Sequence, residues 1–277
     1  MKHTHISAEH DLFDLKLSEV REYWELIFLF TRRSFQVSYK QTILGPLWLL
    51  INPLLTSVTY VILFGNIAKL STEGVPQLLF YMAGNAVWGF FSGRVKENSV
   101  TFTNNAYLFG KVYFPRLVIP ISDILSGLVR FAIQMLLVLV LYIYFLLKGS
   151  VRPDLPMLLT VLPVIAELGL MGMGVGIIIS SLTTKYRDLT VLVDFGLQLW
   201  MYATPVVYPM SSVGGALRTL FWLNPVTAPV ELFRLALFGS GNVCVWSLVW
   251  SLVFTAAVVF FGIMIFNKVE RTFMDTV

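Results

Sequence analysis

Residues 31–68 read TRRSFQVSYKQTILGPLWLLINPLLTSVTYVILFGNIA, and their character changes partway. Up to Lys40 the stretch is basic and mixed; from Gln41 to Ala68 it carries no charge. A helix needs about 20 mostly apolar residues to cross the hydrocarbon of a bilayer. Residues 47–68 therefore predict a first membrane span. Gly45-Pro46 stands at the junction. The residue before a proline is biased out of the helical region, and proline itself suits a helix's first turn. The pair predicts the end of one helix and the turn of the chain into the bilayer.

The rest of the chain agrees. Of 277 residues, 57% are hydrophobic and 13% are charged, about half the charged share of a soluble domain, which is roughly 25%. The 22 Phe, 11 Tyr and 7 Trp fit rings that collect at membrane interfaces. Five more candidate spans follow, at 75–92, 117–147, 155–182, 189–208 and 243–266. Residues 209–242 are too apolar for an ordinary loop and too interrupted by Gly and Pro for a span. They predict two short helices broken at Asn224-Pro225, lying in the interface or re-entering. The predicted fold class is an all-α membrane protein: six transmembrane helices, an N-terminal amphipathic interfacial helix, and short re-entrant helices before the last span. Residues 1–41 form the cytoplasmic tail and interfacial helix, and 42–277 the transmembrane domain. The latter includes a cytoplasmic loop at 93–116 and an extracytoplasmic re-entrant segment at 209–242.

The interfacial helix is expected from Ser18, as N-cap, to Tyr39, with Glu19, Glu22 and Glu25 near its positive end. Val20, Trp24, Ile27 and Phe30, flanked by Tyr23, Leu26 and Phe28, give more than one apolar stripe, as expected of a helix on a membrane surface. No cleavable signal peptide is expected before it, so the first span acts as the insertion signal. Fourteen Lys and Arg fall in the N-terminal segment, the loops after spans two and four, and the C-terminus, against five on the other side. Lys and Arg concentrate on the cytoplasmic side, so both termini are expected there, in a plasma membrane. The mild net charge of +4 is then topological and calls for no nucleic acid.

Enzyme chemistry finds little support. The histidines, His3, His5 and His10, lie together in the first ten residues and read as a tail. The chain has no His-Glu-x-x-His pair and no Gly-x-Ser-x-Gly elbow. The nearest approach to a phosphate-binding loop, Gly110-Lys111-Val112, lacks the following Ser or Thr and the earlier Gly. No catalytic residue, metal site or cofactor is expected in this chain. Cys244, the one cysteine, excludes an internal disulfide. Gly169, Gly172, Gly174 and Gly176 lie inside a span and read as a face for close helix packing.

Charges within spans are candidates for function, because burying them in lipid is costly. They are Asp123, Arg130, Glu167 and Asp194. Counted at helical rise, Arg130 and Asp194 lie at similar depth and could pair, while Glu167 lies near mid-bilayer. Tyr60, Phe64, Phe80, Trp88, Phe90, Phe91, Trp200, Tyr202 and Tyr208 could form a ladder of rings on which a sugar polymer slides. Interfacial belts and lipid packing would account for the same residues.

Several motifs, in order, resemble one family. They are Tyr39-Lys-Gln-Thr-Ile-Leu-Gly-Pro-Leu-Trp48, Asn52-Pro53-Leu54, Phe64-Gly65, Lys111-Val-Tyr-Phe-Pro-Arg116 with Pro120, Tyr186-Arg-Asp188, Thr204-Pro205 with Tyr208-Pro209, and Leu223-Asn-Pro225. Over residues 20–270 the chain resembles the membrane subunit of ABC-type polysaccharide exporters, which export O-antigen, capsular polysaccharide or teichoic acid. The resemblance implies a homodimer, two copies of a separate cytoplasmic ATPase that carries ATP and Mg, and a polymer cargo on an isoprenoid diphosphate lipid. It implies that Arg32, Arg33, Lys40 and Arg116 meet the lipid diphosphate. It places ATPase coupling on Glu97, Asn98, Asn104, Asn105, Tyr107 and Lys111, and the sugar path on the aromatics of spans one, two and five. The alternatives are an ABC exporter of a small molecule or other lipid, and an ion-coupled transporter working through Glu167 and Asp194. A membrane transferase is disfavoured, because no Asp-x-x-Asp pair occurs from the first candidate span onward.

Overall fold

The computed structural model describes residues 17–186 and 188–273. The histidines, Arg187 and the last four residues of the sequence reading lie outside them. Among the described residues the chain is helical, without strands: α1 (Leu17–Glu22), α2 (Trp24–Tyr39), α3 (Trp48–Tyr60), α4 (Gln77–Asn98), α5 (Thr101–Phe109), α6 (Val118–Leu147), α7 (Val161–Thr183), α8 (Leu189–Tyr202), α9 (Gly215–Leu223), α10 (Thr227–Phe238) and α11 (Val245–Phe273). Four helical stretches are long and apolar enough to cross a membrane: Gly45–Ile67, Val118–Leu147, Met157–Thr183 and Val245–Val269.

The opening segment folds as its sequence predicts. α2 ends at Tyr39, Lys40 is extended, and Gln41 and Gly45 take left-handed backbone at φ 67° and 53°. A single 3-10 turn, Gly45–Leu47 with Pro46 in its first turn, then leads into α3. Ser18 lies inside α1, so it does not cap the helix; the break falls instead at Tyr23, between α1 and α2. Two apolar faces of α2 are visible. Ile27 is buried, with Leu26 and Phe30 packed beside it, whereas Trp24 and Phe28, in edge contact at 5.0 Å, face outward.

Other boundaries differ from the sequence reading for identifiable reasons. α4 runs to Asn98, past the expected end at 92, because Arg94, Lys96 and Glu97 all find partners. α8 stops at Tyr202 because Thr204 precedes Pro205. At 14 residues it is only about 21 Å long. In the 209–242 segment the break does fall at Asn224-Pro225, between α9 and α10.

The glycines of α7 make the core close-packed. A Cβ on Gly172 would lie 2.7 Å from Arg94 Cβ and 2.9 Å from the Phe91 carbonyl oxygen; one on Gly176 would lie 2.5 Å from Asn98 Cβ. These two, four residues apart, seat α4. Gly174 points elsewhere and seats α11, where Gly262 opposes it. Two apolar clusters result. The larger joins α4, α7 and α10 around Phe80, Phe91, Leu168 and Phe233. The smaller gathers Ile27, Phe102, Phe109, Phe114, Ile177 and Phe266. It draws α2, α5 and the ends of α7 and α11 to one end of the bundle, here called the basic end. Phe102 stacks on Phe266 at 4.4 Å, and Thr183 Oγ1 donates to the Ser99 carbonyl at 2.8 Å.

The opposite end is fastened by buried polar groups. Arg234 and Glu231 pair at 3.0 Å with side chains 2% and 0% exposed. Arg234 also donates to the carbonyls of Val206 and Tyr208 and lies over the Phe80 ring, and Glu231 accepts from the backbone N–H groups of Asn242 and Met210. The sequence reading counted Arg234 among the five cations of the non-cytoplasmic side; the structure makes it an interior group. Asn224 is a second fastening. Its Oδ1 accepts from Trp200 Nε1 and the Val226 N–H, while its amide donates to Ala203 O and Thr204 Oγ1.

Candidate transport path and coupling contacts

α4 has one open face. From Tyr81 to Val95 every residue of it is buried except Asn85, Gly89, Ser92 and Gly93; Lys96, one turn on, is exposed. At 3.6 residues per turn, positions 85, 89, 92 and 96 fall within about 60° of one another and span about 16 Å. The stripe is bordered by two open grooves that share Gly89. One, of about 260 Å³, lies between α3, α4 and α6 and is lined by Tyr39, Trp48, Asn52, Thr56, Asn85 and Gln134 among others. The other, of about 320 Å³, lies between α4 and α8 and is lined by Trp88, Ser92, Gly93, Lys96, Asp194 and Gln198 among others. Polar side chains from four helices thus converge on one strip within an otherwise apolar bundle.

The sequence reading missed Asn85, Gly89, Ser92, Gln134 and Gln198, and gave Asn52 a place in a motif but no role in the site. A signal was present. In a helix otherwise rich in Phe, Trp and Leu, small or polar residues recur at 85, 89, 92 and 96, which is one face.

The aromatic ladder is divided. Phe80, Trp88, Phe90 and Phe91 are buried, Tyr60, Phe64, Trp200 and Tyr208 are half-buried, and Tyr202 is exposed. Trp200 meets Phe91 edge-on at 5.2 Å and Trp88 at 6.5 Å, and Tyr60 meets Phe64 at 5.7 Å. Of the buried four, Trp88 reaches a groove. Tyr208 donates its hydroxyl to the Tyr202 carbonyl at 2.5 Å.

The buried charges do not pair as their depth suggested. Arg130 pairs with Glu97, which also holds Arg94, and Arg130 Nη2 reaches Ser34 Oγ of α2 at 3.3 Å. Asp194 pairs instead with Lys96 at 2.8 Å. The reason is helical geometry: residues 96 and 97 of α4 point about 100° apart, one toward α8 and the other toward α6. Asp123 lies within electrostatic reach of Arg94, Arg130 and Glu97. Glu167 faces the bundle interior, its Oε1 2.5 Å from Ser251 Oγ of α11.

The remaining candidates separate by exposure. Arg32, Arg33 and Lys40 are exposed, while Arg116 is buried over the Phe109 ring at 5.0 Å. Asn104, Tyr107 and Lys111 are exposed on and just beyond α5, with Lys111 Nζ donating to the Tyr107 hydroxyl at 2.5 Å. Asn105 is half-buried and bonds the Thr101 carbonyl. Asn98 is fully buried, and Glu97 is engaged with the two arginines, so neither offers a free surface to another protein.

The model of the ABC-2 type transporter family matches residues 25–238, which include the whole polar stripe. The chain belongs to that family. Such subunits are the membrane part of a transporter and are not themselves the ATPase; they work in a membrane with an ATPase partner. The chain is also similar to two proteins of Klebsiella pneumoniae, each described as O-antigen export system permease protein RfbA. One is 29% identical over 256 residues and the other 26% over 253, each alignment covering 91% of this chain and 95% of the relative. A protein of Myxococcus xanthus with the same description is 30% identical over 221 residues, covering 78% of this chain and 81% of the relative.

Proposed function

We propose that this ABC-2 subunit exports polysaccharide linked to an isoprenoid diphosphate carrier, moving it from the cytoplasmic side of the plasma membrane. The polar stripe of α4 between its two open grooves carries the reading. A sugar polymer needs a wet, hydrogen-bonding track rather than a tight pocket, and a strip of amides, hydroxyls and glycines about 16 Å long supplies one. Trp88 lies in the wall of the α4–α8 groove beside it, with Trp200 packed edge-on against Trp88. In this reading α4 and α8 join the four long apolar helices to make six crossings. α9 and α10 form the outer re-entrant pair, and the basic end with both termini faces the cytoplasm. Two copies of the chain and two ATPase subunits complete the exporter, with Asn104, Tyr107 and Lys111 presented to the ATPase.

The ion-coupled alternative needs Glu167 and Asp194 on one route. Glu167 is half-buried and bonded to Ser251 between α7 and α11, whereas Asp194 sits in the α4–α8 groove, which argues against a shared path. The test is glycan export in cells carrying Gly89→Trp. A Cβ at Gly89 would meet nothing within 4 Å, so the variant should fold and reach the membrane while blocking the track, and surface glycan should fall to background. Normal surface glycan in cells with a normal level of the Gly89→Trp protein would refute the path. Purification of the chain with no ATPase subunit attached, together with export that survives loss of the ATPase, would refute the exporter assignment.

A further inference from the structure

Lys96 closes the polar stripe at the basic end, and its setting differs from that of the two neighbouring arginines, Arg94 and Arg130. Arg94 is 2% exposed and Arg130 is 20% exposed, and both are committed to Glu97. Lys96 Nζ instead holds Asp194 Oδ1 at 2.8 Å with the two side chains 62% and 56% exposed, inside the groove that Ser92, Gly93 and Gln198 also line. An ion pair that open to water adds little to stability, so exchanging its partner costs little. The buried Arg94–Glu97–Arg130 group cannot exchange in this way, because parting it would strand charges in the interior. The groove thus holds one ammonium that is accessible, paired only loosely, and flanked by neutral hydrogen-bonding groups at the end of the track where an anionic head would enter.

We infer that Lys96 binds the diphosphate of the lipid-linked substrate, with Asp194 as the resting counterion that the diphosphate displaces. The inference rests on the proposed cargo and moves the first phosphate contact from the exposed Arg32, Arg33 and Lys40 to the groove itself. A diphosphate carries more negative charge and more acceptor oxygens than one carboxylate, so the exchange favours the substrate. The freed Asp194 carboxylate then faces the bound anion across the groove and repels it, which keeps the contact transient. Ser92 and Gln198 are placed to donate hydrogen bonds to the same head group.

The test measures equilibrium binding of farnesyl diphosphate to the full chain in neutral phosphatidylcholine nanodiscs. Lys96→Gln should weaken binding about tenfold, the loss of one charge-assisted contact in a partly wet site. Lys96→Arg should retain binding and serves as the control for folding. Asp194→Asn should bind as tightly as the wild type or more tightly. The exchanged pair Lys96→Asp with Asp194→Lys should not recover binding. The inference is overturned if Lys96→Gln binds as the wild type does. It is also overturned if Asp194→Asn loses as much as Lys96→Gln while the exchanged pair restores binding, since the bridge would then be a strut between α4 and α8. Competition by phosphatidylglycerol equal to that by inorganic pyrophosphate would reassign the site to membrane lipid and overturn it too. The cargo reading is checked separately in cells: export that is lost without the chain, with Lys96→Gln binding intact, removes this site alone, whereas export that continues without the chain removes the cargo.

Discussion

Replacing Arg234 by Met should cost more stability than any other single change at the end of the bundle opposite α5. The side chain is 2% exposed and does three things: it neutralises Glu231, bonds the carbonyls of Val206 and Tyr208, and covers the Phe80 ring at 4.1 Å. Removing one partner of a buried ion pair costs about 3–5 kcal/mol. Two carbonyls left without donors add roughly 1 kcal/mol or more. Arg234→Met should therefore destabilise by at least ~4 kcal/mol. Glu231→Gln keeps the shape and can still accept from the Asn242 N–H, so its cost should be smaller. The double variant leaves no buried charge and should cost less than the two single changes added together, by roughly 2–3 kcal/mol. Unfolding in mixed detergent and SDS micelles, followed by tryptophan fluorescence, gives the four stabilities. If the effects add within about 0.5 kcal/mol, Glu231 and Arg234 do not act as a pair and the account of this fastening is wrong.

Three further outcomes follow from the packing. Gly172→Leu and Gly176→Leu should abolish folding or reduce the yield of monodisperse protein severely, because overpacking of a rigid core costs about 1–3 kcal/mol or more; Gly196→Ala, where a Cβ meets nothing within 4 Å, should leave the yield unchanged in the same size-exclusion assay. Asn224→Ala removes the acceptor of Trp200 and Val226 and the donor to Ala203 and Thr204, and should destabilise by ~2–3 kcal/mol, against about 1 kcal/mol for Trp200→Phe, in the same unfolding titration. Tyr107→Ala with Lys111→Ala should leave the folded yield intact, since both residues are exposed, while lowering substrate-stimulated ATP hydrolysis by the partner subunit several-fold in reconstituted vesicles.

The sequence disclosed what hydropathy and turn chemistry control. The turn at Gly45-Pro46, the starts of the long helices and the break at Asn224-Pro225 are local features, each decided by a few neighbouring residues, and the structure has them within a few positions. The packing role of Gly172, Gly174 and Gly176 was legible for the same reason, although not that alternate glycines seat different helices. Pairings across helices were not legible. Depth along a span put Arg130 beside Asp194, but partners are decided by rotation as well as by depth, and α4 turns Glu97 to one and Lys96 to the other. Arg234 read as one of the outer-side topological charges because nothing local shows that Val206 and Tyr208, 28 and 26 residues away, present their carbonyls to it. The aromatics drew attention to bulk, whereas the open face of α4 is marked by the lack of it.

That open face, together with the polar cluster Arg94, Lys96, Glu97 and Asn98 at its end, keeps α4 from being among the helices apolar enough to cross a membrane by composition. A helix surrounded by lipid must be apolar on all sides, because hydrocarbon offers no partner to a polar group. α6 and α11 leave many large apolar side chains exposed, as a lipid-facing surface requires. α4 is covered on most of its surface by protein, chiefly α7, α6 and α3, and its remaining strip faces polar grooves. Arg94, Glu97 and Asn98 can therefore stay in it, each held by a neighbour. On the proposed reading this is what a path helix requires: apolar faces where the bundle holds it, charge where a partner neutralises it, and a polar strip where the cargo passes. A hydropathy scan tuned to lipid-facing helices misses such a helix; α8, which borders the strip with Asp194 and Gln198, is apolar but only 14 residues long. Low hydropathy in a long helix buried within a membrane bundle is then a positive sign of the transport route.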